Sequence, residues 1–153
     1  MQLTLHTDYG LRLMLYLAAA ATDTWIPVKQ VAESYAISTT HLIKVAQHLT
    51  GLGYLESKQG RGGGVRLAVA PREINVGEVV RQLEPSLAPV VCLDPDTPEE
   101  RNCRLSPSCG LKRPLAAARD AFLSTLDGYT LDRCVRRKGP MRELLQITTS
   151  KKN

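Results

Sequence analysis

Four cysteines are the residues best suited to chemistry in this 153-residue chain: Cys92, Cys103, Cys109 and Cys134. Three fall in one short stretch, with the spacing Cys92-x10-Cys103-x5-Cys109. This is not the CxxC knuckle of zinc ribbons, nor the tight run of ferredoxins. Three thiolates on one loop can nonetheless hold an iron–sulfur cluster. Soft sulfur ligands favour iron–sulfur, zinc or copper(I) over magnesium or calcium. Arg101, Arg104, Lys112 and Arg113 flank the sites and would help keep the thiolates ionised. The plainer reading is a set of unrelated cysteines in a loop. Cys134 lies 25 residues past Cys109 and reads by default as a structural or incidental thiol. With only His6, His41 and His48 present, a His-rich metal site is not expected.

Composition narrows the setting. Hydrophobic residues make up 43% and charged residues 23%, as in ordinary globular chains. Aromatics reach only 5%, so aliphatic residues must build the core. No apolar run is long enough for a membrane span, and the start lacks the basic region of a signal peptide. The expectation is a cytoplasmic protein with no membrane partner, where thiols stay reduced and clustered cysteines serve metal or redox chemistry. No Walker loop, HExxH or GxSxG motif occurs, and no acid–base or nucleophile pair stands out, so an enzyme is not expected. The net charge of +5 is compatible with nucleic-acid binding. However, residues 1–89 hold eight basic and seven acidic groups, whereas residues 90–153 hold twelve and eight.

The cysteines need elements to place them. Apolar spacing predicts a helix over 8–21, with Leu11, Leu15 and Ala18 on one face and Thr7 or Asp8 able to cap it. A short helix after Pro27 carries Val28, Val31, Ala32 and Tyr35 inward. A second, capped by Ser38 or Thr39 and running to about Thr50, carries Leu42, Val45, Ala46 and Leu49. Gly51 suits its left-handed closing position. Tyr54–Ser57 and Val65–Val69 read as strands of a hairpin around a glycine-rich loop. Asn75, with Glu78 three residues on, opens another helix holding Val76, Val79, Val80 and Leu83. Six of the nine prolines fall between 85 and 114, which excludes regular structure over most of that stretch. From Pro114 a longer helix presents Leu115, Ala118, Phe122 and Thr125 at the spacing of a helix–helix seam. The basic segment from Arg133 reads as frayed.

Two short helices joined by a tight turn, then a hairpin, make the pattern of a winged helix-turn-helix. A second helix of this kind enters the major groove, and its early residues reach base edges. Here Ser38, Thr39, Thr40 and His41 stand at that end, and Lys44 and Gln47 lie one and two turns on. Lys58, Arg61 and Arg66 border the hairpin loop, and Gly62, Gly63 and Gly64 let the backbone pass close to a phosphate. The alternative is an ordinary helical hairpin with a solvated loop.

At this point the residues resemble a known family. Leu3-Thr4-Leu5-His6-Thr7-Asp8-Tyr9-Gly10-Leu11-Arg12 resembles the opening of the iron–sulfur winged-helix repressors that include IscR, NsrR and RirA. Ser38–Val45 is similar to their recognition helix and Gly60–Leu67 to their wing. Asn102–Cys109 is similar to the cysteine segment of the NsrR branch, and Ala121–Leu123 with Leu126–Leu131 to its dimer helix. The resemblance covers about residues 1–132. It implies a homodimeric repressor of operator DNA whose iron–sulfur cluster, 2Fe–2S or 4Fe–4S, senses nitric oxide. It implies Cys92, Cys103 and Cys109 as ligands, with Asp8 of the partner subunit as the fourth. The IscR branch instead uses a histidine three residues after the last cysteine, where this chain has Lys112. An insertion rich in Asp, Pro and Glu separates Cys92 from Cys103, a departure from the family; lengthening a flexible loop costs little entropy.

The expected fold is therefore mainly α with a small β-hairpin. A winged helix-turn-helix domain spans 1–84 (helix-turn-helix about 28–51, wing about 54–69). A cluster-binding loop spans 85–113, a dimerisation helix 114–132 and a basic flexible tail 133–153. Competing readings are an iron- or redox-responsive regulator of the same family, a thiol–disulfide regulator without a cluster, a structural zinc module and a small electron-transfer protein.

Overall fold

The computed structural model describes residues 2–20, 25–96, 98 and 103–147. It is mainly helical with one two-stranded antiparallel sheet. The elements are α1 (Leu5–Ala20), α2 (Val28–Ser34), α3 (Thr39–Gly51), β1 (Leu55–Lys58), β2 (Gly64–Leu67), α4 (Val76–Leu83), α5 (Lys112–Asp127), α6 (Leu131–Cys134) and α7 (Lys138–Leu144). Short 3-10 turns at Val91–Leu93 and Ser106–Ser108 punctuate the proline-rich stretch. Ala21, Glu99, Glu100, Arg101, Asn102 and residues 148–153, on which parts of the sequence reading fell, lie outside the described residues.

Helix α1 is central, touching α3, α4, β2, α6 and α7. Leu13, Met14, Tyr16, Leu17 and Ala18 are buried, while Leu11 and Leu15 pack at the core's edge. The helix starts earlier than the apolar period implied. The Thr4 hydroxyl accepts the Thr7 N–H at 3.3 Å, which makes Thr4 the cap. Thr7 is wholly buried, and Asp8 stands in the first turn.

In the helix-turn-helix, Ala36 takes a left-handed φ of 52°. Ile37 N–H donates to Ala32 C=O and Ala36 N–H to Glu33 C=O, at 3.0 and 3.1 Å, a Schellman closure of α2. Ser38 caps α3 by accepting from the His41 N–H. The closing left-handed residue of α3 is Gly53 (φ 82°), two residues beyond the expected Gly51. Tyr54 N–H then reaches Leu49 C=O, which carries the chain straight into β1. The hairpin register pairs Leu55 with Leu67, Glu56 with Arg66, Ser57 with Val65 and Lys58 with Gly64. A single bridge from Ile26 to Val65 fastens it to the segment before α2.

Asn75 caps α4 as its sequence context implied, accepting the Glu78 N–H at 3.0 Å. Val79, Val80 and Leu83 are buried on one face of that helix, each worth about 1.5–3 kcal/mol of apolar burial. The frayed tail expected from Arg133 is corrected through Ile147. Val135 is fully buried, and Met141, Leu145 and Ile147 pack on the core. The Arg142 guanidinium donates to Ala19 C=O and Ala20 C=O at 2.6 and 3.0 Å, a cation at the carbonyl end of α1. The basic composition hid this because the apolar residues are few and widely spaced.

Candidate cluster pocket and nucleic-acid interface

The three clustered cysteines lie along the wall of one pocket. Cys92 sits in the turn Val91–Leu93, which packs on α5. Cys103 immediately precedes the turn leading to Ser106–Ser108, and Cys109 lies three residues before α5. All three line one pocket of about 280 Å3, with Val90, Val91, Leu111, Lys112 and Leu115 completing the wall. Each thiol is free of any disulfide. Among the described residues, no three His, Cys, Asp or Glu side chains stand close enough together to hold a metal ion. The donor set nonetheless fits a thiophilic centre: three unbridged thiols on a largely apolar wall with one lysine. Cys134 is absent from that wall and ends α6. Its thiol is pushed up by partial burial and by Asp132, with Arg133 opposing, so it holds its proton more firmly than an ordinary cysteine.

Asp8 does not join the cysteines within the chain. Its carboxylate accepts from Arg12 one turn along α1, at 2.9 and 2.8 Å. Arg12 also lies over the Tyr35 ring, 5.9 Å from its centroid. Burial, the larger cause, drives the Tyr35 hydroxyl up to about 12 despite the Arg12 charge.

The helix-turn-helix and hairpin form a second concave surface. Thr39, Gln47, Lys58, Gly63 and Gly64 share a groove of about 500 Å3 between α3 and the hairpin, floored by Ile43, Ala46 and Val65. Thr40, His41 and Lys44 are exposed on α3 beside it, and Arg61 and Gly62 are exposed at the hairpin tip. Ser38 is exposed, but its hydroxyl is engaged as the cap. Arg66 does not stand free: it donates to Glu56 at 2.8 Å and stacks over Trp25 at 4.5 Å. The pair is part-exposed, at 38% and 48%, so the hairpin orients the Arg66 cation without burying it. Cross-strand pairing of Glu56 with Arg66 was derivable once the register was known, but Trp25 approaches from outside the hairpin and carried no local signal. Lys29 and Gln59 also line the groove and were not among the residues expected there.

Helix α5 leaves much of its apolar seam uncovered. Leu123 is its one buried residue. Leu111 and Tyr129 at its two ends are 66% and 49% exposed, and Ala118 and Thr125 are exposed between them. No helix among the described residues is long and apolar enough to cross a membrane.

Comparison with known proteins agrees with this architecture. A family model described as Rrf2, iron-dependent transcriptional regulator, matches residues 3–137. The HTH-type transcriptional regulator NsrR of Bacillus subtilis (strain 168) is 45% identical over 147 residues, covering 96% of this chain and 99% of the relative. The regulator of the same name from Shouchella clausii is 47% identical over 150 residues, covering 98% and 99%. Among solved structures, CymR, the global cysteine regulator of B. subtilis, superposes with a TM-score of 0.68 at 26% identity, covering 89% of this chain and 97% of that one. With winged-helix geometry, a match over nearly its whole length and relatives that regulate transcription rather than catalyse a reaction, this chain belongs to the Rrf2 family of transcriptional regulators.

Proposed function

We propose that this regulator is a dimeric, cytoplasmic repressor that binds double-stranded operator DNA and releases it in response to nitric oxide. Cys92, Cys103 and Cys109 would hold an iron–sulfur cluster, with Asp8 of the partner subunit as fourth ligand. The observation that carries this reading is the gathering of three free thiols on one pocket wall at the start of α5. When bound, such a cluster supplies thiolate-held iron with which nitric oxide reacts.

The chain's own residues do the rest. Ligation by Cys92, Cys103 and Cys109 would draw the Val91–Leu93 turn, which packs on α5, and the residue three positions before α5 to one centre, so the state of the cysteines and the position of the helix would be linked. The uncovered seam of α5, with Leu111, Ala118, Thr125 and Tyr129 exposed, fits docking against a second copy. Two copies then present two α3 helices, whose separation must match one turn of DNA. Thr39, Thr40, His41, Lys44 and Gln47 face base edges, while Lys58, Arg61 and the Gly62–Gly64 turn approach phosphates. A tenfold change in DNA affinity requires only about 1.4 kcal/mol of differential binding.

Purification under argon with a visible spectrum tests the cofactor and distinguishes 2Fe–2S from 4Fe–4S. Titration with nitric oxide on a duplex selected by the protein from a random library tests the response. Coloured protein that loses the duplex on titration is expected. Colourless protein, or a nitrosylated form that grips the duplex as tightly as before, overturns the proposal.

A further inference from the structure

Asp127, the last residue of α5, is held by Arg81 of α4 and by Asn75, the residue that caps α4. Arg81 donates to both carboxylate oxygens, at 2.5 and 2.7 Å. The Asn75 amide donates to the Asp127 C=O at 2.7 Å while its oxygen caps α4. Gly77 leaves the room: a Cβ there would collide with the Asp127 carboxylate and stand 2.9 Å from its backbone nitrogen. A bidentate guanidinium–carboxylate fork fixes orientation as well as distance. Arg81 holds the carboxyl of Asp127 below the ordinary carboxylate range.

This contact lies at a junction. The opposite end of α5 starts three residues after Cys109. The helix between has 16 residues, about 24 Å of rigid rod. On the far side of α4, Leu83 packs against Gly10 of α1, and Gly10 in turn faces Val45 and Leu49 of α3. A packed path thus runs from the start of α5 to the DNA-facing helix, and Arg81 with Asp127 is the ion pair that joins α5 to α4 along it. The two residues it joins stand 46 positions apart in sequence. Val76 N–H also donates to Tyr129 C=O at 3.0 Å and Asn75 bridges Thr130, so the end of α5 is pinned along the start of α4, and the fork adds the side-chain contact that fixes its orientation.

Building on the functional reading above, we propose that Arg81 and Asp127 are positioning residues that set the angle between α5 and the DNA-reading unit. They thereby decide which half-site spacing the dimer accepts and how strongly the state of the cysteine loop is felt at the DNA. Neither residue touches DNA or the cluster pocket in this assignment; both act through α4.

The test uses full-length protein purified under argon and labelled duplexes selected by the wild type from a random library. In a second series, the half-sites are moved closer or apart by one and two base pairs. Arg81→Gln and Asp127→Asn are expected to weaken binding at the optimal spacing about tenfold and to flatten discrimination between spacings to under threefold. The ratio of affinities before and after nitric oxide is expected to fall towards one. The charge swap Arg81→Asp with Asp127→Arg is expected to restore spacing discrimination. Variants that keep wild-type spacing discrimination and the wild-type nitric oxide ratio overturn the proposal. So do variants whose affinity falls only in step with melting temperature, because that is a stability effect alone. Failure of the wild type itself to select a duplex or to respond to nitric oxide strikes the functional reading, and the parallel series tells the two failures apart.

Discussion

Asp8 holds Arg12 one helical turn away, carboxylate to guanidinium at 2.8 Å, on the solvent side of α1. Both side chains are about two-fifths exposed, so the pair contributes only about 0.3–0.5 kcal/mol. Surrendering Asp8 to another ligand is therefore inexpensive. Asp8→Ala is expected to leave thermal unfolding within about 0.5 kcal/mol of wild type while reducing iron retained per chain after anaerobic purification. An unchanged iron content would remove Asp8 from the ligand set.

The cysteines should divide by position. Cys92→Ser, Cys103→Ser and Cys109→Ser are each expected to abolish visible colour, because all three line the same pocket. Cys134→Ser is expected to keep it, because Cys134 ends α6, away from that wall. Absorbance of the four variants purified side by side checks this, and a colourless Cys134→Ser protein would contradict it.

The polar and basic residues of the DNA face should separate into three behaviours. Arg61 is exposed at the hairpin tip; Arg61→Ala should weaken all duplexes alike and lower the salt slope by about one. Lys44→Ala or Gln47→Ala should cost about 1–3 kcal/mol at one base pair and relax preference there. Arg66→Ala should instead loosen the hairpin, since its partners are Glu56 and Trp25. Anisotropy across a salt series, with hydrogen exchange of the strand amides for Arg66→Ala, distinguishes the three.

Ala36 is a non-glycine residue at positive φ in the helix-turn-helix turn. An L-residue there costs roughly 1–2 kcal/mol, partly offset by the greater chain entropy that glycine loses. Ala36→Gly is expected to stabilise the fold by about 0.5–1 kcal/mol, read from urea unfolding. Destabilisation would mean that the methyl group packs more favourably than its exposed position indicates.

His6 Nε2 and His48 Nδ1 lie 2.9 Å apart, an arrangement that needs at least one neutral ring. Burial first, and His48 second, lower the His6 pKa, with Glu84 opposing. A histidine lowered in the folded state binds fewer protons there than when unfolded. Stability is therefore expected to fall as pH drops through 6.5, the ordinary value. His48→Gln should blunt that dependence in melting curves taken between pH 5 and 8, a window on the order of the histidine range. An identical slope in wild type and variant would contradict the assignment.

Much of the fold was legible from local patterns. The apolar faces of α2, α3 and α4 follow from the 3.6-residue period, and Ser38 and Asn75 announce helix starts because their short side chains reach backbone N–H groups. The hairpin followed from two strand-like runs around glycines. Errors arose where a signal was not local. The start of α1 is set by Thr4, whose N–H and hydroxyl both donate to Glu84, 80 residues away. The end of α3 is set by Gly53 rather than Gly51 because the chain must turn into β1.

The sequence by itself determined the elements, the cysteine spacing and the resemblance that points to a cluster-bearing regulator, because these depend on residue type and short-range period. Only the tertiary structure decided which residues keep their chemistry available. It stacked Arg66 on Trp25, docked the basic tail through Arg142 and joined Arg81 to Asp127 across 46 residues. It also brought Cys92 to the wall shared by Cys103 and Cys109 despite the insertion between them. The physical reason is common to all four: the partners meet only through the tertiary fold, and no periodicity in the sequence encodes such a meeting.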